Sequence, residues 1–208
     1  MVAYIFNQLL DEGVKSGKVP ALTRQSRDWF RNLARNKRSV TPQKIVTTAP
    51  RAQMTRFPEI GFMYHFFYPN PKYKDELPFY DTFPLVFPLQ DVFKRKRASS
   101  GGKFWGINLH YLHPRLRARL MDALYTVTTD KTYDEETRIK AGFKLLNRAS
   151  KFRFFKPCVK SYFLNRVRGR FVKINANAWD LALFLPTERF RKATKQKVFR
   201  DSRSKITV

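Results

Sequence analysis

The segment KDELPFYDTFPLVFPL (residues 74–89) constrains the fold most, because it places aromatic and aliphatic side chains between three prolines. Such a segment is typical of a short, bent β-strand, since proline disrupts helices and is tolerated in strands only where its missing N–H is not needed. Two other aromatic, β-prone segments flank it, GFMYHFFY (61–68) and GGKFWGINLHYL (101–112). Together they predict three short antiparallel strands, with DTFPLVFPL (81–89) bent or at a sheet edge.

Two segments nearer the C-terminus have the composition of a closing pair of strands, GRFVKINA (169–176) and AWDLALFL (178–185). Helical patterns precede, separate and follow the two groups of strands, and this order indicates an α+β fold. We expect a small antiparallel, partly open β-barrel or curled sheet of about five strands, with inserted and flanking basic helices.

Helical periodicity appears outside these strands. Residues 4–12 predict a short helix that ends near Gly13, and residues 24–38 predict a longer helix with Ser26 as its N-cap. Residues 39–61 contain scattered prolines and no period, which is typical of an extended linker. Further helices are expected at 114–127, 136–151, 156–167 and 186–205.

These elements suggest a division of the chain into three parts. Residues 1–60 form an N-terminal helical arm and linker. Residues 61–185 form the α+β core domain, with strands in 61–112 and 169–185 and helices in 114–168. Residues 186–208 form a basic C-terminal helix and tail.

The excess of positive charge is the strongest functional signal. The chain holds 42 Lys and Arg against 16 Asp and Glu, a formal net charge of +26, and residues 114–208 alone hold 24 of the cations and 8 of the acids. Such a surface attracts polyanions, and nucleic acid is the first candidate partner. An anionic membrane is a weaker candidate, and no membrane span is expected, because no apolar run approaches the roughly 20 residues that cross a bilayer.

Phosphates rather than base edges should carry nucleic-acid binding, because the sequence shows no helix-turn-helix, zinc-finger or ribonucleoprotein motif. The basic residues lie on four predicted helices and in the loop KRKRASSGG (94–102). The candidate phosphate-binding residues are Arg27, Arg31, Arg35, Arg38, Lys94, Arg95, Lys96, Arg97, Arg115, Arg119, Lys140, Lys144, Arg148, Lys151, Arg189, Lys192, Lys195 and Arg200.

Metal and redox chemistry have little support in the sequence. Cys158 is the only cysteine, so no internal disulfide forms, and its predicted role is that of a small buried hydrophobe. The histidines lack the cysteine pair or carboxylate cluster that a metal site needs; they are His65, His110 and His113. We expect no metal, no cofactor and no small-molecule substrate.

A metal-dependent nuclease is the enzymatic alternative, since such an enzyme needs carboxylates clustered around Mg²⁺ beside a lysine. Turn formation explains the acids at 75 and 76 without a catalytic role, so a non-enzymatic protein is the first expectation. The residues available for such a centre are Asp75, Glu76, Asp81, Asp91 and Lys94.

The series FMYHFFYPNPKYKDELPFYDTFPLVFPL, then GGKFWGINLHYLHPRLRARLMDAL and the terminal KVFRDSRSKI, resembles the DNA end protector family of T-even-type contractile-tailed bacteriophages. In that family a Tyr-rich strand leads to a lysine-containing turn, an LPYYD-FPL core and a G-NLHYLP segment before a helix. Phe79 and Tyr80 stand at the two aromatic positions, whereas His113 stands where the family pattern is nearer to proline. Residues 61–125 carry most of the resemblance, and the C-terminus matches loosely.

The resemblance implies a virion protein near the head–tail region that binds the terminus of packaged double-stranded DNA and shields it from host exonuclease. Because phosphates rather than base edges are expected to carry the binding, we expect it to be independent of DNA sequence. Its expected locations are the virion and, during assembly and DNA entry, the host cytoplasm. The alternative is a neck, tail or baseplate subunit whose aromatic core docks to other virion proteins. The candidate docking residues are Phe79, Tyr80, Phe83 and Trp105.

Overall fold

A computed structural model describes residues 4–19, 23–90, 102–128 and 132–204. Within these ranges the chain forms seven α-helices and eight strands. The helices are α1 (Ile5–Lys15), α2 (Arg24–Asn36), α3 (Pro42–Thr48), α4 (Pro114–Thr128), α5 (Glu135–Lys151), α6 (Trp179–Phe184) and α7 (Lys195–Ser204). The strands are β1 (Met54–Thr55), β2 (Met63–Phe67), β3 (Tyr80–Asp81), β4 (Leu85–Pro88), β5 (Lys103–Asn108), β6 (Val159–Phe163), β7 (Arg168–Ile174) and β8 (Phe190–Arg191).

Six strands form one antiparallel sheet in the order β1-β7-β2-β4-β5-β6, and β3 pairs with β8 in a separate two-stranded ribbon. The predicted combination of helices with a mostly antiparallel sheet is therefore confirmed. The edge position proposed for the proline-rich strand is wrong, because β4 lies between β2 and β5. The strand tolerates its prolines because Pro84 precedes it and Pro88 is its last residue.

Side chains alternate between the two faces of the sheet, as the period of a β-strand requires. One face joins the main hydrophobic core under the helices, through residues such as Met63, Leu85, Phe87, Ile107 and Val172. The other face carries a second, aromatic cluster, composed of Tyr64, Phe66, Tyr68, Val86, Phe104, Tyr162 and Phe171.

The sheet curls around this aromatic cluster. Rings from strands that are not neighbours meet inside it: Phe66 on β2 lies 5.2 Å from Tyr162 on β6, and Phe104 on β5 lies 5.8 Å from Phe171 on β7. The Tyr68 hydroxyl also accepts a hydrogen bond from the Phe163 backbone N–H. No closed barrel forms among the described strands, because β1 and β6 remain the edges, so the barrel is not confirmed.

The structure corrects two secondary-structure assignments. Residues 156–167, expected to be helical, contain β6 between two 3₁₀ turns. Residues 178–185, expected to be a strand, contain helix α6, in which Trp179, Leu181 and Phe184 are all buried. A short, continuous apolar run fits a buried strand and a buried helix equally well, so periodicity alone does not separate them.

Local signals explain two further differences. Within the expected linker, helix α3 begins where the Thr41 side chain accepts from the Lys44 N–H and Pro42 takes the first helical position. The predicted helix 186–205 is divided into β8 and α7, and Lys192 between them has a positive φ of 66°. A left-handed residue interrupts a helix.

Helix α1 ends at Lys15, two residues after Gly13, so the helix ends near the glycine but the glycine does not terminate it. Gly13 instead allows α1 to approach α2: a Cβ at this position would lie 2.1 Å from Cζ of Phe30. Phe6, Leu9 and Phe30 consequently share the main core with residues of the sheet. The division of the chain at residues 60 and 185 stays a prediction. In the part of the chain that the structure describes, no helix has the length and apolar character of a membrane span.

Candidate nucleic-acid interface

Two of the predicted phosphate ligands on α2 are buried. Arg27 and Arg31 are 6% and 4% exposed. The Arg27 guanidinium lies 2.7 Å from the Asp122 carboxylate, and the Arg31 guanidinium lies 2.8 Å from Asp122 and 2.7 Å from Asp180. Arg27 therefore joins α2 to α4, and Arg31 joins α2 to both α4 and α6. Both arginines are already paired inside the protein, so neither belongs among the proposed phosphate ligands.

This structural role could not be predicted from the sequence, because Asp122 and Asp180 are distant along the chain from the arginines that they bind. Burial opposes the charge on Arg31, but the Asp180 and Asp122 carboxylates outweigh it and raise the Arg31 pKa above its ordinary value. These carboxylates compensate a guanidinium charge that would be unfavourable if it were buried without a partner. Arg35 and Arg38, by contrast, are exposed near the end of α2, and the Arg35 guanidinium lies 4.5 Å from the Phe184 ring centroid.

Helix α5 presents the predicted basic stripe to solvent. Its four members, Lys140, Lys144, Arg148 and Lys151, are all exposed. Lys140 is paired, since its ammonium lies 2.5 Å from the Glu136 carboxylate. The three remaining cations have no carboxylate within 4 Å among the described residues, and they extend along about 10 Å of helix axis. Their charge is therefore available to a polyanion.

The three arginines of helix α4 differ in how deeply they are buried. Arg115 and Arg119 are exposed, whereas Arg117 between them is 2% exposed. The Arg117 guanidinium lies 2.7 Å from the Glu188 carboxylate and donates to the carbonyls of Leu112 and Leu183. It also donates to the carbonyl of His110. Sequence reasoning did not select Arg117, and its position between two exposed arginines gave no signal of this role.

The Arg117 guanidinium controls the ionisation of its buried partner. Burial alone would raise the pKa of Glu188, but the positive charge of Arg117 holds it well below its usual range. The predicted phosphate ligand Lys195 is attached to the same carboxylate at 2.7 Å. Its charge is therefore partly compensated, whereas Arg200 on α7 is exposed.

The proline-rich segment 74–89, here called the aromatic island, serves mainly as core. Phe79 and Phe83 are 9% and 4% exposed, so these two candidate docking residues pack inside the protein. Trp105 is 38% exposed and Tyr80 is half-buried, so only these two candidates present substantial surface. Docking to another protein through any of the four residues stays a prediction.

Asp81, at the centre of the island, is a structural carboxylate. It is 3% exposed and accepts hydrogen bonds from the Phe83 N–H, the Asn108 amide and His110 Nδ1 at 3.0, 3.1 and 2.7 Å. These partners join the island to β5 and the turn after it. Across the described residues, no group of three or more His, Cys, Asp or Glu side chains is arranged to hold a metal ion.

Two other buried titratable groups also have structural surroundings. Cys158 is 1% exposed, which confirms its predicted burial, and burial raises the pKa of its thiol to about 12. His65 binds the Pro84 carbonyl through Nδ1 at 2.9 Å, while its Nε2 has no partner among the described atoms. Burial lowers the pKa of His65 to about 4.

A groove of about 720 Å³ brings together predicted residues from both sets. Tyr80 and Phe83 come from the docking set, and Arg189 and Lys192 come from the phosphate set. Sequence reasoning missed Arg191, which lies between the two cations and lines the same groove. It also missed Arg166, Arg168 and Arg170, which are exposed at alternate positions around the start of β7. Lys94, Arg95, Lys96 and Arg97, together with Asp91, lie outside the described residues.

Comparison with protein families decides the lineage. The family model described as phage T4 terminal DNA protecting protein matches residues 4–205 of the 208 in the chain. The chain belongs to this family. The resemblance drawn from the aromatic motifs is therefore confirmed, and it extends well beyond residues 61–125. Searches of curated proteins and of solved structures found no significant match.

The exposed positive charge of the protein fits its membership in a DNA-protecting family. The match makes this a phage protein of a DNA-protecting family. The exposed cations of α5 and α2 and those around β7 are of the type that contacts phosphates. A DNA partner, a location associated with the virion and a structural rather than catalytic role are each consistent with the family.

Proposed function

We propose that this protein is a non-enzymatic, sequence-independent DNA-binding protein of the virion that occupies the end of the packaged double-stranded genome. The observation that carries the proposal is the match to the terminal DNA protecting family over residues 4–205. The net charge of +26 supports it, because 16 acidic residues can pair with fewer than half of the 42 cations. Protection is steric: a bound terminus offers no free end to a host exonuclease.

Phosphate neutralisation supplies the binding energy in this proposal. The ligands are the exposed cations, and the three unpaired ones on α5 are the clearest group: Lys144, Arg148 and Lys151. Further contacts come from the other exposed members of the predicted set that have no ion pair with a described carboxylate: Arg35, Arg38, Arg115, Arg119, Arg189, Lys192 and Arg200. Buried arginines fix the helices that carry these residues. The protein acts in the virion and, during assembly and DNA entry, in the host cytoplasm.

Competition between linear and circular duplex tests the end-specific part of the proposal. Labelled blunt duplex is bound by the full chain and displaced by unlabelled linear or relaxed circular DNA at equal nucleotide concentration. The proposal predicts that linear DNA competes better in proportion to its number of ends. Equal competition per nucleotide contradicts end recognition, and the absence of any duplex binding contradicts the proposal as a whole.

A second candidate function is that of a neck, tail or baseplate subunit that docks to other virion proteins. The observation that favours it is a pair of exposed aromatic rings after α5, Phe152 and Phe154, which are 63% and 54% exposed. Localisation of the labelled chain in intact particles separates the two functions. A position remote from the DNA supports docking and contradicts end protection.

A further inference from the structure

The groove between β2, β3 and β8 has chemistry that general phosphate binding does not explain. Aromatic rings line it, namely those of Phe67, Tyr80 and Phe190, and so do the cations Arg189, Arg191 and Lys192. No Asp or Glu belongs to the described lining. Its volume of about 720 Å³ lies within the roughly 300–1,000 Å³ of small-ligand sites. Rings together with uncompensated cations are complementary to a flat, anionic ligand.

The cations of the groove are held in place without carboxylate partners. The Arg189 guanidinium donates to the carbonyls of Pro186 and Glu188 at 3.1 and 3.0 Å. The Lys192 ammonium donates to three carbonyls in residues 74–77, at 2.7, 3.1 and 3.2 Å. Arg191 between them is exposed and has no ion pair within the described part of the chain. Carbonyls orient the first two groups but leave their full positive charge uncancelled.

The rings of the groove differ in how much of their surface is already covered. Phe67 is stacked on Phe83, with centroids 4.7 Å apart and an angle of 20° between the planes. Phe190 packs edge-on against Tyr111 at 5.1 Å. Tyr80 is half-buried and makes no ring contact with any described residue. Of the three rings, that of Tyr80 is the one that lines the groove without being paired to another described ring.

We propose that this groove binds an unpaired nucleotide at the end of a DNA strand, with the base stacked on Tyr80 and the phosphate bound by Arg189 and Arg191. Inside a duplex, both faces of each base are covered by its neighbours, and at a blunt end only the outer face of the terminal base pair is free. An unpaired nucleotide, by contrast, can turn its single base into a groove and stack it on a ring there. The assignment rests on the proposed function and specifies the part of the DNA end that the protein contacts.

Hairpin duplexes with one open end test the assignment. The closed end carries a fluorophore, and the open end is blunt or carries a three-nucleotide overhang containing 2-aminopurine. The wild-type chain should bind the overhang hairpin about 5- to 150-fold more tightly than the blunt one, the range for stacking one base on an aromatic ring. Stacking should also quench the 2-aminopurine fluorescence.

Two variants locate the effect, and a third is the matched control. Tyr80→Leu keeps an apolar side chain but removes the stacking ring, and Arg191→Gln removes the unpaired cation. Both should abolish most of the overhang advantage, and Tyr80→Leu should leave blunt-hairpin affinity within about threefold of wild type, since blunt binding needs no stacked base. Lys197→Gln, an exposed change on α7, should keep the advantage. Thermal melting confirms that each variant is folded.

The outcomes separate this inference from the proposed function. Salt-dependent blunt binding without an overhang advantage overturns the groove assignment and leaves end protection standing. An advantage that survives both groove variants also overturns the assignment. Equal affinity for free dAMP and for the overhang overturns the strand-end part. Absence of all duplex binding contradicts the proposed function itself.

Discussion

Replacing the three unpaired cations of α5 should weaken DNA binding by a calculable amount. Each phosphate contact contributes about 0.9 to the slope of log K against log salt for duplex DNA. Lys144→Gln, Arg148→Gln and Lys151→Gln together should therefore lower the slope by about 2.7 and weaken binding about 100-fold at ~0.15 M salt. Fluorescence anisotropy of a labelled blunt duplex across a salt series measures both quantities.

The helix supplies its own control for this experiment. Lys140 lies on the same stripe, but its ammonium is paired with Glu136. Lys140→Gln should therefore change the slope by much less than a full phosphate contact. All four positions are exposed, so the melting temperature should remain close to that of wild type. An unchanged slope in the folded triple variant would refute the reasoning that the α5 stripe contacts phosphate.

Three further predictions concern stability. Arg117→Met should lower the free energy of unfolding by about 3–5 kcal/mol, because buried Glu188 loses its buried partner and keeps only the more exposed Lys195. Exposed Arg115→Met should cost less than about 0.5 kcal/mol, and equal urea midpoints for the two variants would contradict this reasoning. Gly13→Ala should cost about 1–3 kcal/mol because its Cβ meets the Phe30 ring, whereas Gly142→Ala, with its nearest neighbour 4.0 Å away, should be neutral or stabilising. The pKa of His65 is 6.5 in the unfolded chain and about 4 in the folded protein. As the pH falls from 6.5 towards 4, the unfolded state therefore binds a proton before the folded state does, and the free energy of unfolding decreases, by about 2 kcal/mol at pH 5. In urea titrations, His65→Gln should remove this part of the pH dependence, whereas the control His113→Gln should retain it. Identical pH profiles for wild type and His65→Gln would exclude the buried neutral histidine as its source.

Local patterns predicted much of the fold. Helices α2, α4 and α5 have clear periodicity, and the aromatic segments 61–68 and 101–112 contain β2 and β5. The errors fall where local pattern is ambiguous. The apolar run of α6 is buried on every side, and the segment around β6 begins with a proline that suggested a helix start. Tertiary packing decides whether such segments become helices or strands.

The candidate site was predicted less completely, because charge in a sequence does not reveal its partner. Arg27 and Arg35 carry the same side chain on the same helix, yet one is buried against Asp122 and the other is exposed. Arg115 and Arg117 differ in the same way on α4. The groove could not be predicted because it brings β8 next to β2 and β3, which lie more than a hundred residues earlier in the chain.

The most direct test of end protection is exonuclease digestion of linear duplexes of two lengths. A processive double-strand exonuclease is added after the protein, and the protein concentration that preserves full-length DNA is measured at a fixed concentration of ends. End occupation predicts that short and long duplexes need the same number of protein molecules per DNA molecule. A requirement that grows in proportion to length, or digestion at the rate of naked DNA, would contradict the account.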